Sequence, residues 1–182
     1  MSVLDLGGTS AFWSEAPVRP YKLALLNLEP QGWAPWYQSV TGDVCSPSKE
    51  ITDWKYDLVF SNSVIGHVGG HQRRLEFASV VHSCADQHWI QTPYRYFPID
   101  PFMVFPGWSF LPVPVRAQVC LHWPHGSRQR STHDLAVETT LEVEFLTKTE
   151  MHYYFPKSLL WMERLAGLPK SIVAAKKAGD SA

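Results

Sequence analysis

The sequence predicts an α/β fold built on a parallel sheet. Two observations carry this. Short runs rich in Val, Leu and Ile recur along the first half, each closed by a Gly, Pro or polar break. A helical stretch with apolar residues on one side lies between the fourth and fifth runs. Uninterrupted apolar runs are the mark of strands buried on both faces, and strand, crossover, strand is the grammar of a parallel sheet.

The elements follow in order. SVLDL at 2–6 ends at Gly7-Gly8, and KLALLNL at 22–28 ends at Glu29-Pro30. SV at 39–40 ends at Gly42-Asp43, YDLVFS at 56–61 ends at Asn62, and HWIQT at 88–92 ends at Pro93. Leu75, Ala78 and Val81 share one side of the intervening helix, with Arg73, Arg74 and Glu76 elsewhere around it. Residues 9–16 leave room for two helical turns before Pro17. Residues 30–37 hold two prolines and Gly32 and predict no long helix, so the sheet is expected to be thinly covered there.

Residues 93–126 break the rhythm. Seven aromatic residues and five prolines fall within 94–114. Proline removes backbone donors, so this segment is expected to be a stiff aromatic loop or lid without a regular helix. Residues 127–134 read as a polar joint, with a helix following at 134–140. Thr147 and Glu150 have capping-box spacing and predict a helix from 148 to about 154. SLLWMERL and SIVAAKK flank Gly167 and read as two antiparallel strands around a turn, with a helix over 158–166 as the alternative. One domain is expected over 1–177, with a frayed tail at 178–182.

Composition narrows the function classes. The charged fraction of 18% and the hydrophobic fraction of 45% exclude a charged disordered chain. A net charge of −1 argues against a nonspecific nucleic-acid binder. Cys45, Cys84 and Cys120 are widely spaced and imply no disulfide framework, so a cytoplasmic location is expected. No transmembrane stretch or signal peptide is read. Eight Trp, seven Tyr and nine Phe are more rings than a chain of 182 residues needs for its core.

Chemistry concentrates at strand ends. Gly7 and Gly8 follow Asp5 in a turn that lets a ligand approach the backbone. Glu29 ends the second strand and can accept ribose hydroxyls. Asp43 ends the third and can accept an adenine amino group. Together these are parts of a nucleoside site at the carboxyl ends of the strands. Thr9 and Phe12 stand where a dinucleotide fingerprint needs glycine, which counts against nicotinamide and flavin.

VLDLGG at 3–8, LLNLEP at 25–30, GDV at 42–44 and YDLVFSNSVIGHVG at 56–69 resemble a class I S-adenosylmethionine-dependent methyltransferase of the type 11, small-molecule kind. WIQTPYRYFPIDP at 89–101 and RLAGLPKSIVA at 164–174 add to the resemblance. It implies a Rossmann-like, mostly parallel seven-stranded sheet in a three-layer sandwich, with an antiparallel last strand inserted beside the fifth. It implies S-adenosyl-L-methionine as cofactor. Asp5, Gly7 and Gly8 would cradle its amino-acid end, Glu29 its ribose, and Asp43 with Val44 its adenine. Ser61 and Asn62 would line the floor beneath the sulfonium. Of the family's three motif glycines only the first is in register, Thr9 and Ala11 standing at the others. Gly66 stands where the family tends to carry Glu. No helix precedes the first strand, as expected of a minimal or N-terminally shortened version.

His67, shortly after the fourth strand, is the candidate general base, with a packing role as its alternative. Gln91, Tyr94, Tyr96 and Asp100 are candidate substrate contacts, weighed equally against packing. His67 and His71 have i, i+4 spacing but lack the Glu of a zincin, so no metal is expected. Arg73, Arg74, Arg128 and Arg130 read as solvated faces. The function expected is methyl transfer to a small-molecule, lipid or sugar acceptor in a biosynthetic pathway. The alternatives are a catalytically degenerate scaffold, a nicotinamide oxidoreductase and an RNA methyltransferase. No nucleic-acid partner is expected, and a homodimer is left open.

Overall fold

A computed structural model describes residues 1–125, 132–177 and 179. Seven strands form one sheet in the order β3-β2-β1-β4-β5-β7-β6. These are β1 (Ser2–Leu6), β2 (Lys22–Asn27), β3 (Gln38–Thr41), β4 (Leu58–Asn62), β5 (His88–Pro93), β6 (Leu159–Leu165) and β7 (Leu168–Lys176). Strands β1 to β5 pair in parallel, and β7 runs antiparallel to both β5 and β6. The expected fold class is therefore the observed one, down to the antiparallel strand beside β5. The hairpin at 159–176 turns through Ala166 and Gly167, both at positive φ, as a two-residue turn between twisted strands requires.

The helices are α1 (Ser10–Ser14), α2 (Lys49–Thr52), α3 (His71–Cys84), α4 (Val113–His122), α5 (His133–Glu142) and α6 (Lys148–Tyr154). One face of the sheet buries Leu4, Leu6, Leu26, Val59 and Ile90 against Ile51 of α2, Phe77 and Val81 of α3, and Met151 of α6. Each such side chain, removed from water, contributes roughly 1.5–3 kcal/mol. The other face holds Val3, Leu23 and Leu25 under Trp13 of α1, with Trp36, Tyr37 and Phe60 packed around them. No helix lies between β2 and β3, so this face is thinly covered, as expected, and aromatic rings do the covering. The helix α6 starts with the expected capping box: Thr147 Oγ1 accepts from Glu150 N, and Thr147 N donates to Glu150 Oε2 at 2.7 Å.

Two expectations need correction. The segment 93–126 does contain a regular helix, α4. Pro112 is its N-cap residue and Pro114 lies in its first turn, where the missing N–H would have had no helical acceptor anyway. The aromatic segment also makes one 3₁₀ turn, Trp108–Phe110. Together α4 and α5 enclose a small core of Met103, Ala117, Cys120 and Ala136, flanked by Phe105, Trp108 and Trp123. Arg74 does not lie on a solvated face. It is 3% exposed and pairs with Glu144 at 2.6 Å, a partner too far along the chain to be read from periodicity. Arg128, Arg130 and most of the expected polar joint lie outside the described residues, as does the tail apart from Gly179.

The stretch 94–146 is an insertion between β5 and α6, and its two ends lie side by side. Tyr94 bridges to Leu146, Arg95 N donates to Leu146 O, and the Arg95 guanidinium pairs with Glu150 at 2.9 Å.

Candidate active site

The carboxyl ends of β1 to β4 meet at one edge, where open α/β sheets bind ligands. Gly7, at φ +81°, turns the chain after β1, and its N–H donates to Leu26 O at 2.7 Å. Asn27, the last residue of β2, donates through Nδ2 to Gly8 O at 2.9 Å and Gly7 O at 3.2 Å. The Gly42 N–H donates to Asn27 O at 2.9 Å, which brings the end of β3 alongside. Three strand ends are thereby tied into one rim.

A cleft of about 410 Å³ opens on this rim, within the range of small-molecule sites. Leu28, Val44, Val64 and Val68 give it apolar walls; Asn27, Asp43, Ser63, His67 and Arg73 bring polar groups. Asp43 Oδ1 accepts from Cys45 N at 2.9 Å, and Asp43 Oδ2 meets the Arg73 guanidinium at 2.5 Å. Partial burial pushes the Asp43 carboxyl up, but the Cys45 N–H and Arg73 outweigh it and hold it below its ordinary value. The cleft thus offers a carboxylate that stays ionised at neutral pH.

His67 is exposed at the mouth. Its N–H donates to Val64 O at 2.7 Å, and its ring meets Phe102 edge-on at 5.3 Å. Phe102 in turn stacks on Phe145. The insertion therefore forms one wall of the approach to His67.

A second cavity of about 140 Å³ lies on the far side of Gly7, lined by Asp5, Gly8, Thr9, Phe12, Phe60 and Asn62. Asp5 is 1% exposed. Its Oδ2 accepts from the Trp13 indole N–H at 2.7 Å, and Oδ1 has no partner among the described residues. Burial pushes its carboxyl up to about 7, against the lowering effect of the Trp13 bond.

No family model matches the sequence, and neither does any curated protein. Solved structures do match. An O-methyltransferase family protein from Burkholderia thailandensis superposes with TM-score 0.55 at 12% identity, over 98% of this chain and 51% of that one. The N-terminal domain of EvdMO1 with S-adenosylhomocysteine (SAH) bound gives 0.54 at 12%, over 97% and 74%. PigF with SAH gives 0.50 at 17%, over 96% and 50%. The chain has the fold of the S-adenosylmethionine-dependent methyltransferases. It spans about half the length of the first and third of these structures.

On this methyltransferase fold the candidate residues separate into groups. Gly7, Asp43, Val44 and His67 share the larger cleft. Asp5, Gly7, Gly8 and Asn62 share the smaller cavity. Ser61 is buried and donates to Leu6 O at 2.8 Å, locking β4 to the end of β1. Glu29 is exposed and lines neither cavity, while Asn27 holds the strand end. Gln91 supports the residue after β4, accepting from Ser63 Oγ at 3.0 Å. Tyr94 packs on the main core and meets Tyr96 edge-on; Tyr96 stacks on Phe110. Asp100 is buried and accepts from the N–H groups of Phe102 and Met103, shaping the start of the insertion. Asn27, Ser63, Val64 and Arg73 line the cleft without having been singled out for it. Three of them lie inside the LLNLEP and YDLVFSNSVIGHVG segments, which was the available signal; nothing local marks Arg73.

Proposed function

We propose that this chain transfers a methyl group from S-adenosylmethionine to a small-molecule acceptor at the larger cleft. The observation that carries the reading is the convergence of the Gly7 turn, the ionised Asp43, the apolar Val44 and His67 on one cleft of about 410 Å³. Its apolar walls and single carboxylate fit a nucleoside: flat base between aliphatic side chains, polar edge toward Asp43. The amino-acid tail would belong beyond Gly7, where Asp5, Gly8 and Asn62 line the smaller cavity.

When bound, the cofactor supplies a methyl group already activated by a positive sulfur. The protein's share of the work is orientation and exclusion of water. Asp43 and Val44 orient the base. Ser61, buried under the rim, keeps β4 aligned with β1. His67, at the mouth and beside Phe102, takes the proton from an acceptor hydroxyl or amine. The insertion supplies an aromatic wall suited to a bulky acceptor. EvdMO1 was crystallised in the presence of D-fucose, which supports a sugar among the acceptor classes here, alongside a lipid intermediate. Free, buried Cys45, Cys84 and Cys120 suit a reducing, cytoplasmic setting.

Calorimetric titration with SAH is the first test. Binding is expected in the unaltered chain, and Asp43→Ala should weaken it by about tenfold or more, since a charged hydrogen-bond acceptor is removed. No heat at millimolar ligand would sink the reading. His67→Ala should cut turnover by roughly 10²-fold or more with SAH affinity unchanged. Full activity would remove His67 as the base.

A further inference from the structure

An ion pair lies in the larger cleft. Asp43, just after β3, meets Arg73, in the first turn of α3, at 2.5 Å between Oδ2 and Nη2. Both residues line the cleft. Their side chains are 36% and 39% exposed. Ion pairs this exposed contribute little to stability, because ordering two side chains offsets an attraction weakened by water. The needs of the fold therefore do not account for how firmly this pair is built.

Two further contacts hold the guanidinium. Arg73 Nε donates to Val68 O at 3.2 Å, and Nη1 lies 3.4 Å from Glu76 Oε2. The group is planar, so these two contacts fix its plane and with it the direction of Nη2 toward Asp43. The backbone of Arg73 is tied to the same turn. The Cys45 thiol donates to Arg73 O at 3.2 Å, and Cys45 N donates to Asp43 Oδ1 at 2.9 Å. Asp43, Arg73 and Cys45 thus close a ring of bonds between the end of β3 and the start of α3. Each Asp43 oxygen accepts one bond within this ring and keeps a second lone pair for a ligand. A carboxylate held in this way has already lost the rotational freedom that a ligand would otherwise remove, and such pre-ordering appears as affinity.

We infer that Arg73 is a positioning residue for the ligand of the larger cleft and acts through Asp43. This rests on reading that cleft as a nucleoside site with Asp43 as acceptor, and adds the group that aims the acceptor. Arg73 also keeps Asp43 an acceptor in acid. Partial burial pushes the Asp43 carboxyl up, while the Cys45 N–H and then Arg73 hold it below its ordinary value. Without Arg73 one of the lowering groups is gone, so the carboxylate takes up its proton at a higher pH as the medium is acidified. The other ionisable groups beside the pair are Glu76 from α3 and Cys45 from the turn, and His67 lines the same cleft.

The test titrates adenosine calorimetrically into the full chain, Arg73→Gln, Arg73→Lys, Asp43→Asn and the double variant Asp43→Asn with Arg73→Gln. The titrations run from neutral pH down through the carboxylate range. His67 is common to every chain, so the comparison between chains removes its part. At neutral pH Arg73→Gln should weaken adenosine by roughly three- to tenfold. On acidification its affinity should begin to fall at a higher pH than in the unaltered chain, and Arg73→Lys, which keeps the charge, should move the profile back. With Asp43→Asn in place, Arg73→Gln should cost nothing more. An equal loss at every pH, the same with and without Asp43, is what a merely structural residue gives and would overturn the inference. Unchanged or tighter binding by Arg73→Gln would overturn it too, with Arg73 then idle or competing with the ligand for Asp43. If Arg73→Gln does not fold, Arg73→Lys decides: it should bind adenosine more weakly at neutral pH through loss of the planar fork, and full affinity would overturn the inference. In each of these cases, adenosine bound by the unaltered chain and weakened by Asp43→Asn leaves the nucleoside reading standing. No adenosine binding by the unaltered chain would remove that reading, and the role of Arg73 with it.

Discussion

The two faces of the sheet solve the same problem in different ways. One is covered by α2, α3 and α6, which lay many aliphatic side chains over Leu4, Leu6, Leu26 and Ile90. The other has the five-residue α1 and no helix between β2 and β3. Its cover is a set of rings. Phe12, Trp13 and Phe60 pack mutually at 5.6–5.8 Å, Trp36 meets Tyr37 at 4.7 Å, and the Arg19 guanidinium lies over Trp36 at 4.5 Å. Further along this sheet Trp89 and Trp161 are 39% and 52% exposed. A ring buries far more area per residue than an aliphatic chain, so a short segment carrying rings can do the work of a helix. That accounts for part of the aromatic excess. The cost is concentration: cover that rests on few residues fails when one is lost.

The largest expected effect follows from this. Trp13→Ala should destabilise by about 4–8 kcal/mol: about 3–5 for the cavity, and about 1–3 for leaving Asp5 without its hydrogen-bond donor. Phe77→Ala, at a fully buried ring within the helix-covered face, should cost about 3–5 kcal/mol. Urea unfolding of the two variants gives the comparison. A smaller loss for Trp13→Ala than for Phe77→Ala would mean that the rings are ornamental to that face.

The contrast between faces also explains what could be read from the sequence. β1, β2, β4 and β5 were legible because their apolar runs stop at Gly, Pro or polar residues, and α6 because its capping box is local. The thin face was legible from Pro30, Pro35 and Gly32, which forbid a helix after β2. Effects set by distant partners were not. Pro112 and Pro114 read as breakers, since nothing local says that a helix begins there. Arg74 needs Glu144 to be buried. At the site, the strand ends carrying Gly7 and Asp43 were legible from turn chemistry. Side-chain direction past a strand end was not: it depends on the turn, which leaves Asn27 tied to the rim and Glu29 exposed. Val64, whose methyl group would meet a β-carbon on Gly7 at 2.3 Å, follows the left-handed Ser63, which is bonded to Gln91 of β5 and not to anything local.

Each face also carries a buried titratable group whose effect on stability opposes the other's, Asp5 on the thin face and His88 on the covered face. On the thin face, burial raises Asp5 to about 7, with the Trp13 bond pulling the other way. Its contribution to stability is complete below its unfolded value of about 4 and is lost as pH rises through about 7. On the covered face, burial first, then His82 and Lys176, lowers His88 to about 4. Its contribution is complete above its unfolded value of about 6.5 and is lost as pH falls toward about 4. The shifts correspond to about 4 and about 3 kcal/mol. Between about pH 4 and about pH 6.5 the slopes of Asp5 and His88 have opposite signs and offset each other, while His82, also lowered by burial, adds to the slope of His88. Asp5→Asn removes one slope. Its midpoint should rise with pH across that window by an amount equivalent to about 3 kcal/mol. A profile parallel to that of the unaltered chain would mean that Asp5 does not titrate in this range.

The smallest effects concern the helix starts on the two faces. Thr147 Oγ1 and Glu150 form a reciprocal box at the head of α6, and Glu150 also anchors Arg95 at the root of the insertion. Thr9 Oγ1 accepts a single bond from Phe12 N at 3.3 Å at the head of α1. Thr147→Ala should cost about 1–2 kcal/mol, at the upper end for a cap, because Glu150 loses one of the partners that hold it toward Arg95. Thr9→Ala should cost about 0.5–1 kcal/mol, since α1 is held chiefly by Trp13. The ratio is the informative quantity. If Thr9→Ala costs as much as Thr147→Ala, the short helix supports the thin face through its backbone, and the rings share that task instead of carrying it.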